Sequence, residues 1–183
     1  MFIDEFKIDI NQLNVEFATP LNIAHQHLEM ARFLLDNGAN ANLGGIFGPI
    51  WHAVRFNNMA MVHLLLQYRA DPNRNRPPID NVPAPRNTDM AIQHGYAEVL
   101  RMLLQHGAYV AYRKNPFFGT PLNLLLRSQR QSRETKLDIC RILVEHAKND
   151  RATAALMNAT FEFAIRRTDI DGCQISCSNS KMK

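Results

Sequence analysis

Met61-Val62-His63-Leu64-Leu65-Leu66 surrounds one basic side chain with five apolar ones, and the same order recurs along the chain. It stands again at Met30-Ala31-Arg32-Phe33-Leu34-Leu35, Val99-Leu100-Arg101-Met102-Leu103-Leu104 and Ile139-Cys140-Arg141-Ile142-Leu143-Val144. The four starts, at 30, 61, 99 and 139, are 31, 38 and 40 residues apart. On a helix, the first, second, fifth and sixth positions of this pattern share one face, and the third points away. That third residue is Arg or His each time. A helix of this kind has a broad apolar stripe that it cannot bury alone, so the pattern predicts stacking on like neighbours.

The flanks repeat as well. Gly38-Ala39-Asn40-Ala41-Asn42, Arg69-Ala70-Asp71-Pro72-Asn73 and Gly107-Ala108 follow the helices. Glycine there suits a left-handed C-terminal cap, and Asn, Asp and Pro favour the turn that follows. Thr19-Pro20-Leu21, Gly48-Pro49-Ile50 and Thr120-Pro121-Leu122 precede a shorter paired helix. Thr can cap its start and Pro suits its first turn. The unit is turn, short helix, tight turn, second helix and turn.

This order of features resembles the ankyrin repeat. The likeness rests on Thr19-Pro20-Leu21-Asn22-Ile23-Ala24 with Leu34-Leu35-Asp36-Asn37-Gly38-Ala39, and on Pro49-Ile50 and Ala53-Val54 with Ala70-Asp71-Pro72-Asn73. It continues in Asp89-Met90-Ala91-Ile92, His94-Gly95-Tyr96 and Gln105-His106-Gly107-Ala108, then in Thr120-Pro121-Leu122-Asn123-Leu124. The fold expected is all-α, an ankyrin-type helical solenoid of about four helix–turn–helix units with finger-like turns. The units are placed at residues 19–47, 48–85, 86–118 and 119–150. Residues 1–18 are expected to form an N-terminal cap, with Asp9-Ile10-Asn11 as the tail of a preceding repeat. Residues 151–167 are expected to be capping helices, and 168–183 a frayed tail.

Four departures stand out. His25-Gln26-His27 replaces the tight turn of unit one and shortens it. Arg69 occupies a glycine-cap position. Four prolines between Arg74 and Arg86 make a long loop after unit two, and Ser128 to Glu134 are inserted in unit four, either between its helices or lengthening them.

Composition narrows the function. The chain has 183 residues, 46% apolar and 21% charged, with no apolar run near the ~20 residues a membrane helix needs. Asp4 and Glu5 stand where a secretory leader would be basic. Three cysteines do not make a disulfide framework, so a reducing, cytoplasmic setting is expected. A net charge of +4 does not by itself mark a nucleic-acid binder.

No reaction chemistry emerges from the seven histidines or three cysteines. His25 and His27 are two apart and share no helical face. His52 is expected to be a half-buried imidazole with a backbone partner, and Cys140 a small core residue. Cys173 and Cys177 lack the further ligands of a metal site, and the calcium-like Asp169-Ile170-Asp171-Gly172 lacks later acids. There is no phosphate loop and no nucleophile elbow. The reading is a non-catalytic protein with no cofactor, no metal and no small-molecule substrate.

The resemblance implies a concave surface built by first helices and finger turns. The positions matched to it are Gln26, Arg55, Phe56, Gln93, His94 and Arg127 on first helices, and Phe47, Arg74, Arg113 and Phe117 in or beside fingers. Arg and aromatic side chains are common binding anchors. The expected partner is a protein with an acidic or mixed surface, met by a monomer. The alternatives are a host-directed bacterial effector or adaptor using the same surface, and a weak nucleic-acid binder acting through the basic loops.

Overall fold

The computed structural model describes residues 9–45, 47–74, 85–110, 121–128 and 131–148, excepting the side chains of 122, 126, 127 and 148. Among the described residues eight α-helices follow in order: α1 (Pro20–Ile23), α2 (Leu28–Asp36), α3 (Pro49–Arg55), α4 (Met59–Gln67), α5 (Asn87–His94), α6 (Ala97–Gln105), α7 (Pro121–Arg127) and α8 (Arg133–Lys148). A single 3₁₀ turn, Ala24–Gln26, extends α1 where the sequence is short. Among the described residues there are no strands. The helices stack in two rows. Odd-numbered helices pack on one another, from α1 with its 3₁₀ turn to α3, α5 and α7. Even-numbered helices form the second row, from α2 to α4, α6 and α8. The chain is therefore an all-α helical solenoid of ankyrin type.

Local chemistry sets the helix ends. Thr19 Oγ1 accepts from Asn22 N at 3.3 Å, and Pro20 opens α1. In the third unit, Arg86 stands at the capping position. Asp89 takes over there, its carboxylate accepting from Arg86 N at 3.3 Å. Asp89 is 5% exposed, and burial raises its pKa against the lowering pull of Arg86. Gly38 and Gly107 close α2 and α6 at φ +90° and +82°, as the cap pattern requires. Arg69 closes α4 in the same left-handed region, at φ +60°.

The buried stripe is broad in the middle of the stack. Met61, Val62, Leu64 and Leu65 are all buried in α4, which has α2 on one side and α6 on the other. Arg32, His63, Arg101 and Arg141 all face solvent, as the pattern predicts. The expectation fails at Met30, the first position of the stripe, which is 53% exposed with Phe33 beside it at 54%. Among the described residues α2 has a second-row neighbour on one side only, so its far face stays open. Cys140 is buried, as expected.

An asparagine ladder ties the turns together. Asn11, Asn42 and Asn73 each donate from Nδ2 to the carbonyl of the next unit's cap residue, Gly38, Arg69 and Gly107, at 2.9–3.3 Å. Each also accepts, through Oδ1, from the backbone N–H two residues beyond that cap: Asn40, Asp71 and Tyr109, at 2.6–2.7 Å. Asp9, Asn40 and Asp71 hold the asparagines in place by accepting from their N–H groups at 2.8–2.9 Å. Asp9 and Asn11 thus make the same set of hydrogen bonds as Asn40 with Asn42 and Asp71 with Asn73. The next position in register is Ala111, which has no side-chain amide to offer.

The insertion of unit four does both things foreseen. Arg133 and Glu134 lengthen α8, while Gln131 and Ser132 lie in the connection before it. Gln131 Nε2 reaches back to the carbonyls of Ile92 and Gln93 at the end of α5, both at 2.8 Å. Gly95 makes this approach possible. It has φ +81°, and a Cβ there would lie 3.0 Å from Thr135 Cγ2 and 3.1 Å from Gln131 Cγ.

Candidate functional site

One face of α3 gathers the most concentrated group of aromatic and basic side chains described. Trp51 and Arg55 are one turn apart, so they share a face. The guanidinium carbon of Arg55 lies 5.2 Å from the Trp51 ring centre, within cation–π range. His52 and Phe56 form a second one-turn pair beside them. From the preceding finger, Phe47 stacks on Trp51 at 4.0 Å and 27° and meets His52 edge-on at 6.0 Å. From the preceding unit, His25 stacks on Phe56 at 5.5 Å and lies 5.2 Å from His52. Phe47, Trp51, His52, Arg55, Phe56 and Pro85 line an open hollow of about 490 Å³.

The shortened turn of unit one helps to present His25. Its Nδ1 donates to the Asn22 carbonyl at 3.0 Å, which leaves Nε2 uncommitted. His52 corrects the expectation of a backbone partner. Among the described residues its surroundings are rings rather than acceptors: Phe47, Trp51 and His25. Burial first, then His25, then Arg55 lower its pKa from the ordinary histidine value. Trp51 Nε1 is buried with no hydrogen-bond partner.

Of the residues singled out from sequence, Phe47, Arg55 and Phe56 come together here. Phe56 is 54% exposed and Arg55 is exposed, whereas Phe47 is partly buried against the core. Arg74 lies at the foot of the same helix, where its stem crosses Gly48. A Cβ on that glycine would be 2.8 Å from Arg74 Cδ. Gln26 is exposed at the end of the 3₁₀ turn. Gln93 and His94 are exposed on α5, one unit along and outside the hollow's lining; His94 stacks on Tyr96 at 5.5 Å. Arg113 and Phe117 lie outside the described residues, as do 75–84 of the proline loop. So do residues 1–8 and 149–183, which hold part of the expected N-terminal cap, the expected C-terminal caps and tail, Asp169-Ile170-Asp171-Gly172, Cys173 and Cys177. For Arg127 only the backbone, at the end of α7, is described. Position alone did not single out Trp51, His25 or Pro85. The available signal was the one-turn spacing of Trp51 and Arg55.

Charge divides between the two rows. The first-helix segments 20–26, 49–55, 87–94 and 121–127 contain a single acid, the buried Asp89. The second helices carry exposed Glu29, Asp36, Glu98, Glu134, Asp138 and Glu145. There Arg101 pairs with Glu98 and Glu145, and Arg141 with Asp138. Arg101 and Arg141 of the outer basic column thus have acidic neighbours, while Arg55 on the first-helix row has an aromatic one.

Sequence models of the ankyrin repeat match residues 18–45 and 47–74. This chain carries ankyrin repeats. The second matched span supplies Phe47 to Phe56 of the hollow's lining, and His25, which packs against His52 and Phe56, lies in the first. A fowlpox virus (strain NVSL) protein named as an ankyrin repeat protein is 32% identical over 122 residues, 64% of this chain. The matched region spans about a quarter of that relative's length, 26%. Ankyrin repeats generally serve as protein–protein interaction modules, and the family is typically non-catalytic. Among the described residues no three metal-ligating side chains converge, and no helix is long and apolar enough to cross a membrane.

Proposed function

We propose that this ankyrin-repeat chain is a non-catalytic binding module whose first-helix face receives a protein partner with an acidic or mixed surface. The convergence of Phe47, Arg55 and Phe56 with Trp51 and His52 around one open hollow carries the reading. The face offers apolar rings at its centre and basic groups around them, and its stacked helices hold these side chains in place before binding. Such pre-ordering lowers the entropic cost of association. The segregation of exposed acids to the second helices supports a partner that brings carboxylates.

The test is a double variant, Arg55→Ala with Phe56→Ala. Both side chains are exposed, so thermal melting is expected to change little. Affinity purification from the source cell is run in parallel with wild type and variant. A protein retained by wild type and lost from the variant is the expected result. Equal retention of every captured protein would overturn the assignment of this face.

A further inference from the structure

His52 lines the hollow and has a second imidazole, His25, packed beside it, and this bears on when the hollow binds. The inference rests on the first-helix face being the partner site and concerns its regulation. His25 and His52 have ring centres 5.2 Å apart. His25 keeps Nε2 uncommitted. Burial and neighbouring charge, with no hydrogen bond, set the state of His52.

Of the neighbouring charged groups, His25 and Arg55 both oppose a charge on His52. Arg55 lies on the same helix, His25 on the preceding unit, Arg74 over Gly48 at the foot of α3, and Arg86 beside Pro85. From α5 come His94 and the buried Asp89, the latter at that helix's N-terminal end. Thus no exposed acid on the first-helix row offsets a charge placed on the imidazole pair. A carboxylate brought in by a partner would supply that missing counter-charge and favour the imidazolium form. By linkage, a ligand that favours the protonated form is bound more tightly where protons are abundant.

We propose that partner capture at this hollow is proton-linked. An acidic segment sets a carboxylate against His25 and His52 and an apolar side chain against Phe47 and Phe56, and it is bound together with a proton. Affinity therefore rises as pH falls from about 7.5 to about 5.5, the range in which imidazoles change charge. The segment's own carboxylates stay ionised there, with ordinary pKa values of about 4.

The chain reports on its own site, because Trp51 is its single tryptophan. The probe is the blocked peptide acetyl-Asp-Glu-Glu-Phe-Glu-Asp-Asp-amide, titrated against tryptophan emission of the full chain at pH 7.5 and 5.5. A peptide with lysine in place of every acid is the control. An average uptake of about a quarter to half a proton across these two pH units predicts an affinity about three- to tenfold higher at pH 5.5, since one full proton gives tenfold per pH unit. Calorimetry in two buffers of different ionisation enthalpy should count a net uptake between zero and one. His52→Gln should abolish most of the pH effect, and His25→Gln should reduce it. The second variant carries the test if the first does not fold. Arg55→Ala should weaken binding at both pH values by a similar factor.

Peptide binding with the same affinity at both pH values and no proton uptake would overturn the proton linkage and leave the partner face standing. So would an unchanged pH effect in a folded His52→Gln or His25→Gln variant. Absence of peptide binding at either pH would sink the linkage. Binding unaffected by the Arg55→Ala, Phe56→Ala double variant would remove both readings.

Discussion

The junctions among the first three units and the junction of the third with the fourth are fastened differently. Units one to three are joined at their turns by Asn42 and Asn73, each of which both donates to and accepts from the next unit's backbone. At the fourth unit the corresponding residue is Ala111, and Gln131 ties the stack from the opposite end of the helices, by donation only. Gln131 Oε1 is buried without a partner. The difference shows that a repeat array can change its fastening where its period changes. An irregular unit keeps its place by using its own insertion.

Removing one fastener from each region should separate the two. Asn42→Ala deletes both bridging hydrogen bonds and strands the Arg69 carbonyl and the Asp71 N–H. A loss of about 1–3 kcal/mol is expected, read from urea unfolding. A loss near zero would show that the ladder is incidental to stability. Gln131→Ala should cost less, about 1 kcal/mol, because it also removes a buried oxygen that has no partner. Hydrogen exchange should quicken in α7 and α8 and stay unchanged in α3 and α4; uniform quickening would contradict a local junction.

A smaller effect is expected at the other end of α5, where Asp89 caps the helix. Its folded pKa is raised above the unfolded value of about 3.9. Its contribution to stability is therefore greatest at low pH and is lost as pH rises through the raised folded value. Asp89→Asn keeps an acceptor for the Arg86 N–H and removes the ionisation. Relative to wild type, the variant should gain stability as pH rises from about 4 to about 7. A constant difference in urea midpoint across that range would exclude burial of this carboxyl as the cause. The smallest effect is expected at the cap. Arg69→Gly relieves a left-handed arginine and preserves the carbonyl that Asn42 uses. A gain of up to about 1 kcal/mol in unfolding free energy is expected; destabilisation would mean that the arginine side chain contributes more than its backbone strain costs.

The sequence discloses the solenoid because its causes are local and recur. Apolar spacing, the Thr19-Pro20 start and the Asp-x-Asn or Asn-x-Asn turns each repeat what a neighbour does, so one segment interprets another. The candidate site is only half legible by that route. Arg55, Phe56 and Phe47 stand at exposed positions of a known phase and can be named before any coordinates. Trp51 resembles core filler in the same window, and its meeting with Phe47 depends on how one irregular finger folds back. The approach of His25 to His52 depends on a 3₁₀ turn replacing a normal one, a change in helical phase that residue types do not state. Gln131 was hidden for a similar reason: an insertion has no counterpart in the other units to compare with.

The asparagine ladder also bears on how such a chain can change over generations. Each rung spends one specified side chain, while its partners are backbone groups that nearly every residue possesses. Arg69 serves as well as Gly38 or Gly107 at the receiving end. A unit ending in Asp-x-Asn or Asn-x-Asn is therefore a cassette with a standard coupling. Duplication or exchange of whole units requires no matching substitution next door, and the faces of the first helices can drift towards new partners while the joints stay intact.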